Sequence, residues 1–234
     1  MSLESHDDDG RWHDTNRAMR TIYVVTHPEA KHHVERVVGG WHESTLTPSG
    51  ELTAASIGAE LRARIPASAG IDLFSSDLQR AQQTARIVAA GLQVEPVLDQ
   101  RLREKSYGEA EGKPQAWLDA RFRPPPVSGD RMDHDEGVVG AETKKAFACR
   151  IYAVMDDILR SGCEHQVVIT HGFAVTFIVA SWIKMPIASL GFVNFRAAAG
   201  SITVLREDDY FHNRQVASLS ETHHLRSEQA ALGT

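Results

Sequence analysis

Two histidines in this chain each close an apolar run: Val24-Val25-Thr26-His27-Pro28 and Val168-Ile169-Thr170-His171-Gly172. Near neutral pH an imidazole has an unprotonated ring nitrogen that can act as a nucleophile. A third segment, Phe74-Ser75-Ser76-Asp77-Leu78-Gln79-Arg80-Ala81, sets Arg80 in the first turn of an expected helix. Helix N-termini add free N–H groups and partial positive charge. If the three junctions share one rim, they form a small anion pocket. A phosphoryl group is its natural guest, because Arg80 can clamp two oxygens at once. Attack by a histidine on phosphorus splits one hard displacement into two. The leaving alkoxide then needs a proton from a carboxylic acid of raised pKa. Glu104, in Leu102-Arg103-Glu104-Lys105-Ser106-Tyr107-Gly108, is best placed; Glu109 and Glu111 are weaker candidates.

These side chains must be held by regular elements. A buried strand ending at a polar residue delivers that side chain to the rim of an open α/β sheet, where ligands bind. The apolar runs predict strands at Thr21–Thr26, Ile71–Ser75, Gln93–Leu98, Gln166–Thr170, Ser201–Leu205 and Gln215–Leu219. A polar, His-rich loop is expected from Pro28 to about Leu46. Thr47 and Pro48 read as N-cap and first position of a helix to Arg64 presenting Leu52, Leu61 and Ile65. Further helices are expected over Leu78–Gly91, around Phe147–Leu159 and over Ala174–Ile183. The alternation predicts a three-layer α/β/α sandwich with a mostly parallel sheet. Residues 101–140, rich in Gly and Pro, read as a small lid with one short helix near Gln115–Phe122. Residues 1–20 are expected to be a disordered extension, 21–225 the folded domain, and 226–234 a tail.

The formal net charge is −6, which argues against a broad nucleic-acid-binding surface and leaves room for a local basic pocket. No apolar run approaches the roughly 18 residues of a membrane span, and the polar N-terminus has no secretory h-region. Two cysteines, Cys149 and Cys163, suit a reducing cytoplasm better than a disulfide framework. His32-His33 and His223-His224 fit solvated histidines better than metal ligands, since no carboxylate stands at ligand spacing. Neither a metal nor another cofactor is expected. Trp41 is read as a ligand-stacking or a packing residue, and Arg121, Arg123 and Arg131 as anion contacts or surface charge.

Taken in order, these segments resemble the histidine phosphatase superfamily, also called phosphoglycerate-mutase-like, from about Thr21 to Leu225. Thr26-His27-Pro28-Glu29 stands where the family has Arg-His-Gly and an acidic residue. Trp41 and Leu46-Thr47-Pro48-Ser49-Gly50 resemble its Gly-Trp and Leu-Thr-x-x-Gly elements. Ser75-Ser76-Asp77-Leu78-Gln79-Arg80-Ala81-Gln82-Gln83-Thr84-Ala85 is similar to Ser-x-Leu-x-Arg-Ala-x-Gln-Thr-Ala, the most specific match. Leu102-Arg103-Glu104, Gly140-Ala141-Glu142-Thr143 and Val167 to Gly172 look like the acid, helix-start and second-histidine segments. The resemblance implies His27 as phosphoryl acceptor, Arg80 and His171 in the phosphate pocket, and Glu104 as proton donor.

Two departures stand at the first motif. Threonine cannot replace a guanidinium, and Pro28 has no N–H. Lys31, His32, His33 and Arg36 follow in the next loop and are the candidates to fill in. Phe173, where relatives often have a small or polar residue, makes the pocket more apolar. The expected activity is a metal-independent phosphatase acting on a small phosphorylated metabolite through phosphohistidine at His27. A phosphoglycerate-mutase-type transfer is the variant reading, disfavoured by a lid shorter than in the glycolytic mutases. A catalytically weak phospho-ligand sensor is the reading from another class. A homodimer is left open.

Overall fold

The computed structural model describes residues 5–6, 12–13 and 18–225. Its elements are β1 (Ser5–His6), β2 (Trp12–His13), β3 (Ala18–Thr26), α1 (Lys31–Glu35), α2 (Pro48–Arg64), β4 (Ile71–Ser75) and α3 (Gln79–Leu92). There follow β5 (Pro96–Leu98), α4 (Gln115–Asp119), α5 (Lys144–Arg160), β6 (His165–Thr170), α6 (Ala174–Trp182), β7 (Ile202–Asp208) and β8 (Arg214–Glu221). The main sheet has the order β5-β4-β6-β3-β7-β8. β5, β4, β6 and β3 run parallel, and β7 and β8 continue antiparallel.

Both faces of the sheet are covered, which is why its central strands are continuous apolar runs rather than alternating ones. Ile22, Val24, Val168 and Leu205 pack under α5 and α6. Tyr23, Val25, Val167, Ile169 and Val204 pack under α2 and α3. Each buried aliphatic side chain contributes roughly 1.5–3 kcal/mol. A one-residue slip of β3 against β6 would move a whole row to the wrong layer, so packing holds the register.

α2 starts where expected: the Thr47 hydroxyl accepts the Gly50 N–H at 3.0 Å, with Pro48 following. Its buried stripe is Ala54, Ile57, Gly58 and Leu61. Leu52 is out of phase with that stripe and is 57% exposed, contrary to expectation. The expected loop after Pro28 instead contains α1, and the lid helix stops at Asp119. β3 begins at Ala18, so residues 18–20 belong to the sheet rather than to an extension. β1 and β2 pair antiparallel. The remainder of the proposed extension, and the tail from 226, lie outside the described residues.

The lid segment is tied down by its own small core, in which Ala110, Leu118 and Val138 close on Val38. Gly108 has φ +52°, and a Cβ there would come within 2.3 Å of the Val139 carbonyl oxygen. Only glycine fits that close approach. Among the described residues no helix is long and apolar enough to cross a membrane.

Candidate active site

β3 and β6 pair with Thr26 opposite Thr170, so His27 and His171 leave the sheet side by side. Their rings lie 5.0 Å apart, edge to face. Backbone bonds seal the junction: His27 N–H donates to the Thr170 carbonyl at 3.0 Å, and Ser76 N–H to that of Ile169 at 2.9 Å.

His27 is 5% exposed. Its Nδ1–H donates to the Pro28 carbonyl at 2.7 Å. A carbonyl can only accept, so this contact assigns the proton to Nδ1 and the lone pair to Nε2. Pro28 lacks an N–H, yet its carbonyl orients the ring. Arg80 Nε–H donates to Nε2 at 3.2 Å. The Arg80 Nη1 and Nη2 groups donate to the carbonyls of His42 at 2.8 Å and Gly40 at 2.7 Å. A guanidinium carries five N–H bonds; these contacts use three and leave two. Burial pulls the Arg80 pKa down to about 10, so it stays cationic at neutral pH.

His171 is fully buried. Its Nε2 shares a 2.8 Å hydrogen bond with the Ser76 hydroxyl. Its Nδ1 has no partner among the described residues. Burial first, and then the Arg80 charge, hold His27 and His171 well below the ordinary imidazole pKa. Both rings are therefore neutral near pH 7.

α1 brings two more imidazoles. His33 stacks on His27, with ring centroids 5.6 Å apart and planes 10° from parallel. Its Nδ1 accepts the Ala30 N–H at 3.2 Å, leaving the neutral ring's proton on Nε2. Burial and Arg80 lower its pKa. His32 is braced by Ser44 and is pushed down to about 3 by burial and by His33. Among the described residues no His, Cys, Asp and Glu side chains gather as a metal-ligand group.

Glu104 lies on the lid side of these histidines. Its Oε1 accepts the Lys105 N–H at 2.8 Å and its Oε2 the Phe173 N–H at 3.0 Å. Burial raises its pKa despite both bonds and the opposing charges of Arg80 and Arg150. Arg150, on α5, donates to the carbonyls of Arg101, Arg103 and Glu104 and pairs with Glu142. Trp41 Nε1–H also donates to the Glu104 carbonyl, at 2.7 Å. Trp41 thus braces the acid-bearing loop. Glu111 is taken up by Ser106 and the Tyr107 N–H, and Glu109 is exposed, 3.9 Å from Lys113.

Thr26, His27, His33, Arg80, Glu104 and Gly172 line one cavity of about 210 Å³. Thr26 is 3% exposed and its hydroxyl has no partner among the described residues. It brings a hydroxyl to the cavity and no charge. Arg36 lines the adjoining cavity, with His33, Glu104, Tyr107 and Phe173. Lys31 is exposed and lines neither. Phe173 shapes the adjoining cavity and packs on Phe147 and Phe177, and its N–H serves Glu104. Sequence reasoning missed Ser76 and Arg150 as supports. Ser76 was visible at the strand end; Arg150 sits mid-helix with no local signal.

Comparison with known proteins matches this architecture. Residues 22–218 match the histidine phosphatase superfamily (branch 1). A protein of Enterobacter sp. strain 638 named "Probable phosphoglycerate mutase GpmB" is 30% identical over 173 residues, 72% of this chain and 77% of its own length. The structure of a mycobacterial glucosyl-3-phosphoglycerate phosphatase superposes with TM-score 0.71 at 20% identity, covering 87% of this chain and all of that one. Bacillus stearothermophilus YhfR superposes with TM-score 0.69 at 26% identity, covering 88% and 99%. A family match across nearly the whole folded domain, with the paired strand-end histidines and Arg80 at its centre, makes this chain a member of the histidine phosphatase superfamily.

Proposed function

We propose that the protein hydrolyses a phosphomonoester through a phosphohistidine at His27, without a metal. The observation that supports this best is the His27 lone pair. The Pro28 carbonyl fixes it on Nε2, in a cavity shared with Arg80 and Glu104.

In the first step His27 Nε2 attacks phosphorus and the bond from phosphorus to the leaving oxygen breaks. Protonated Glu104 gives its proton to the departing alkoxide. The charged ring of the intermediate keeps its Nδ1–H on the Pro28 carbonyl. Arg80 turns its Nε–H and two unused N–H groups to the phosphoryl oxygens, and the cost is one bond to the histidine it frees. His33 Nε2–H adds a neutral donor beside Thr26. With Ser76 donating to His171 Nε2, His171 offers Nδ1–H as another. In the second step Glu104, now a carboxylate, takes a proton from water. The water oxygen bonds to phosphorus and neutral His27 leaves.

Hydrolysis is favoured over a mutase reaction because the cavity opens past His33, Arg36 and Gln115, all exposed to water. The relative named as a mutase keeps phosphoryl return to substrate as the second reading. Turnover of p-nitrophenyl phosphate, with alkaline denaturing quench to trap an acid-labile, base-stable phosphoprotein, tests the proposal. Loss of both signals in His27→Ala supports it. Wild-type turnover in that variant refutes the phosphohistidine, and inactive wild type that still binds phosphate esters favours a sensor.

A further inference from the structure

A third cavity, of about 330 Å³, lies under the lid. It shares no lining residue with the cavity around His27. Its link is the intermediate cavity, which shares Tyr107 and Phe173 with it and His33 and Glu104 with the catalytic one. A molecule whose phosphoryl group meets His27 must cross that intermediate space to reach the lid.

Aromatic side chains and two cations make up much of the lid cavity. Tyr107, Phe122, Phe173 and Phe192 line it. Phe122 and Phe192 are 44% and 65% exposed, large apolar surfaces left open on the lid side. Arg131 and Lys144 are the cations. Arg131 lies over the Phe192 ring, 4.4 Å from its centroid, and its buried Nε has no partner among the described residues. Lys144 Nζ donates to the carbonyls of Gly191 at 3.1 Å and Val193 at 3.3 Å. An ammonium has three protons, so one remains. Burial, with Arg131 next, lowers its pKa. Among the described residues the one carboxylate in the lining, Glu136, is neutralised by the buried Lys105, 2.5 Å away. The cavity therefore holds two positive charges in excess. Asn194 accepts from Thr176 through Oδ1, and its amide nitrogen remains a donor.

We propose that this cavity receives the distal end of the substrate's leaving group, and that this end is a carboxylate carried on an extended aromatic or apolar frame. The carboxylate pairs with Arg131 and Lys144, and the frame lies along Tyr107 and Phe173. On this assignment a compact phospho-acid held at His27 makes no contact with Arg131 or Lys144, which line neither the catalytic nor the intermediate cavity. This assignment rests on the hydrolase reading above.

The test uses p-nitrophenyl phosphate, an aryl phosphate whose ring bears a pentanoate chain, the carboxamide of that ester, and 3-phosphoglycerate. Wild type is expected to favour the long acid over its amide by about 10- to 100-fold in kcat/KM, the size of one charged hydrogen bond. The ratio falls toward one in Arg131→Gln and in Lys144→Met. Because both esters are measured on one preparation, partial misfolding lowers both rates and leaves the ratio readable. Equal rates for acid and amide in wild type overturn the proposal. So does a ratio unchanged in both variants, or 3-phosphoglycerate turned over as well as the long acid. If wild type turns over none of the esters, the hydrolase reading fails. Calorimetric binding of the acid against the amide then judges the cavity: a preference for the acid supports it, and equal affinities overturn it.

Discussion

Among the described residues Arg80 is the sole guanidinium lining the catalytic cavity, since Thr26 stands where the superfamily resemblance sets another. Replacing it with glutamine tests how much of the transition state one cation carries. The imidazoles around it are held neutral and cannot substitute for its charge. Removing one such donor typically costs about 10²–10³ in rate. Arg80 supplies the formal charge and more than one N–H, so kcat/KM should fall by about 10³ or more. Stability is expected to move far less. The substitution strips the Gly40 and His42 carbonyls of their donors, at about 1–3 kcal/mol each. It also relieves the burial of a charge whose pKa is drawn down to about 10, on the order of 3 kcal/mol. The two effects largely cancel, so Tm should drop by less than about 10 °C. Arg80→Lys keeps the charge but cannot serve three acceptors on a planar fork, and its activity should lie between. Steady-state turnover of p-nitrophenyl phosphate and thermal melts read the two effects separately. A well-folded Arg80→Gln protein that loses less than tenfold would refute the reasoning, because another cation would then be at the phosphoryl group.

Glu104→Gln should depend on the leaving group: about 10²–10⁴-fold slower on an alkyl phosphate, where the alkoxide needs a proton, and far less affected on p-nitrophenyl phosphate. Equal losses on both would remove Glu104 as the acid. Stability should fall as pH drops below about 6.5, where the unfolded chain protonates its histidines while His27, His32 and His171 stay neutral in the fold. Each contributes about 1.4 kcal/mol per pH unit, at most about 4 together. Glu104, whose folded pKa is raised, acts in the opposite sense: its contribution is present at low pH and is lost as pH rises through that value. Urea midpoints at pH 7.5 and 5.5 measure the sum, and identical midpoints would contradict it. Gly108→Ala forces a Cβ against Val139 and Gly140 at φ +52° and should loosen the lid by about 1–3 kcal/mol. Faster limited proteolysis between residues 108 and 140 would show it; an unchanged cleavage rate would not be expected.

What the chain determines by itself is local. The central apolar runs mark strands because burial on both faces leaves no alternation. Thr47-Pro48 marks the start of α2 because a hydroxyl and a proline satisfy its free end. The residues at three strand ends, with the ordered motifs, pointed to the superfamily, and His27, Arg80 and Glu104 do line one cavity with His171 beside His27. Thr26, His33 and Arg36 come to the same pair of cavities, whereas Lys31 does not. The short helix α1 decides that difference, and five residues with one apolar member, Val34, carry no periodic signal strong enough to announce it. Partnership across the fold was likewise not legible. The Thr26–Thr170 register, which sets the two imidazoles side by side, is decided by which rows of aliphatic side chains fill each layer. Arg150 reaches the Glu104 carbonyl from α5, 46 residues along the chain. Arg131, read from sequence as anion contact or surface charge, meets Lys144 only because the lid folds back over α5. Periodicity reports which side of an element is buried; only the packed structure decides what it is buried against, and so which charges share a cavity.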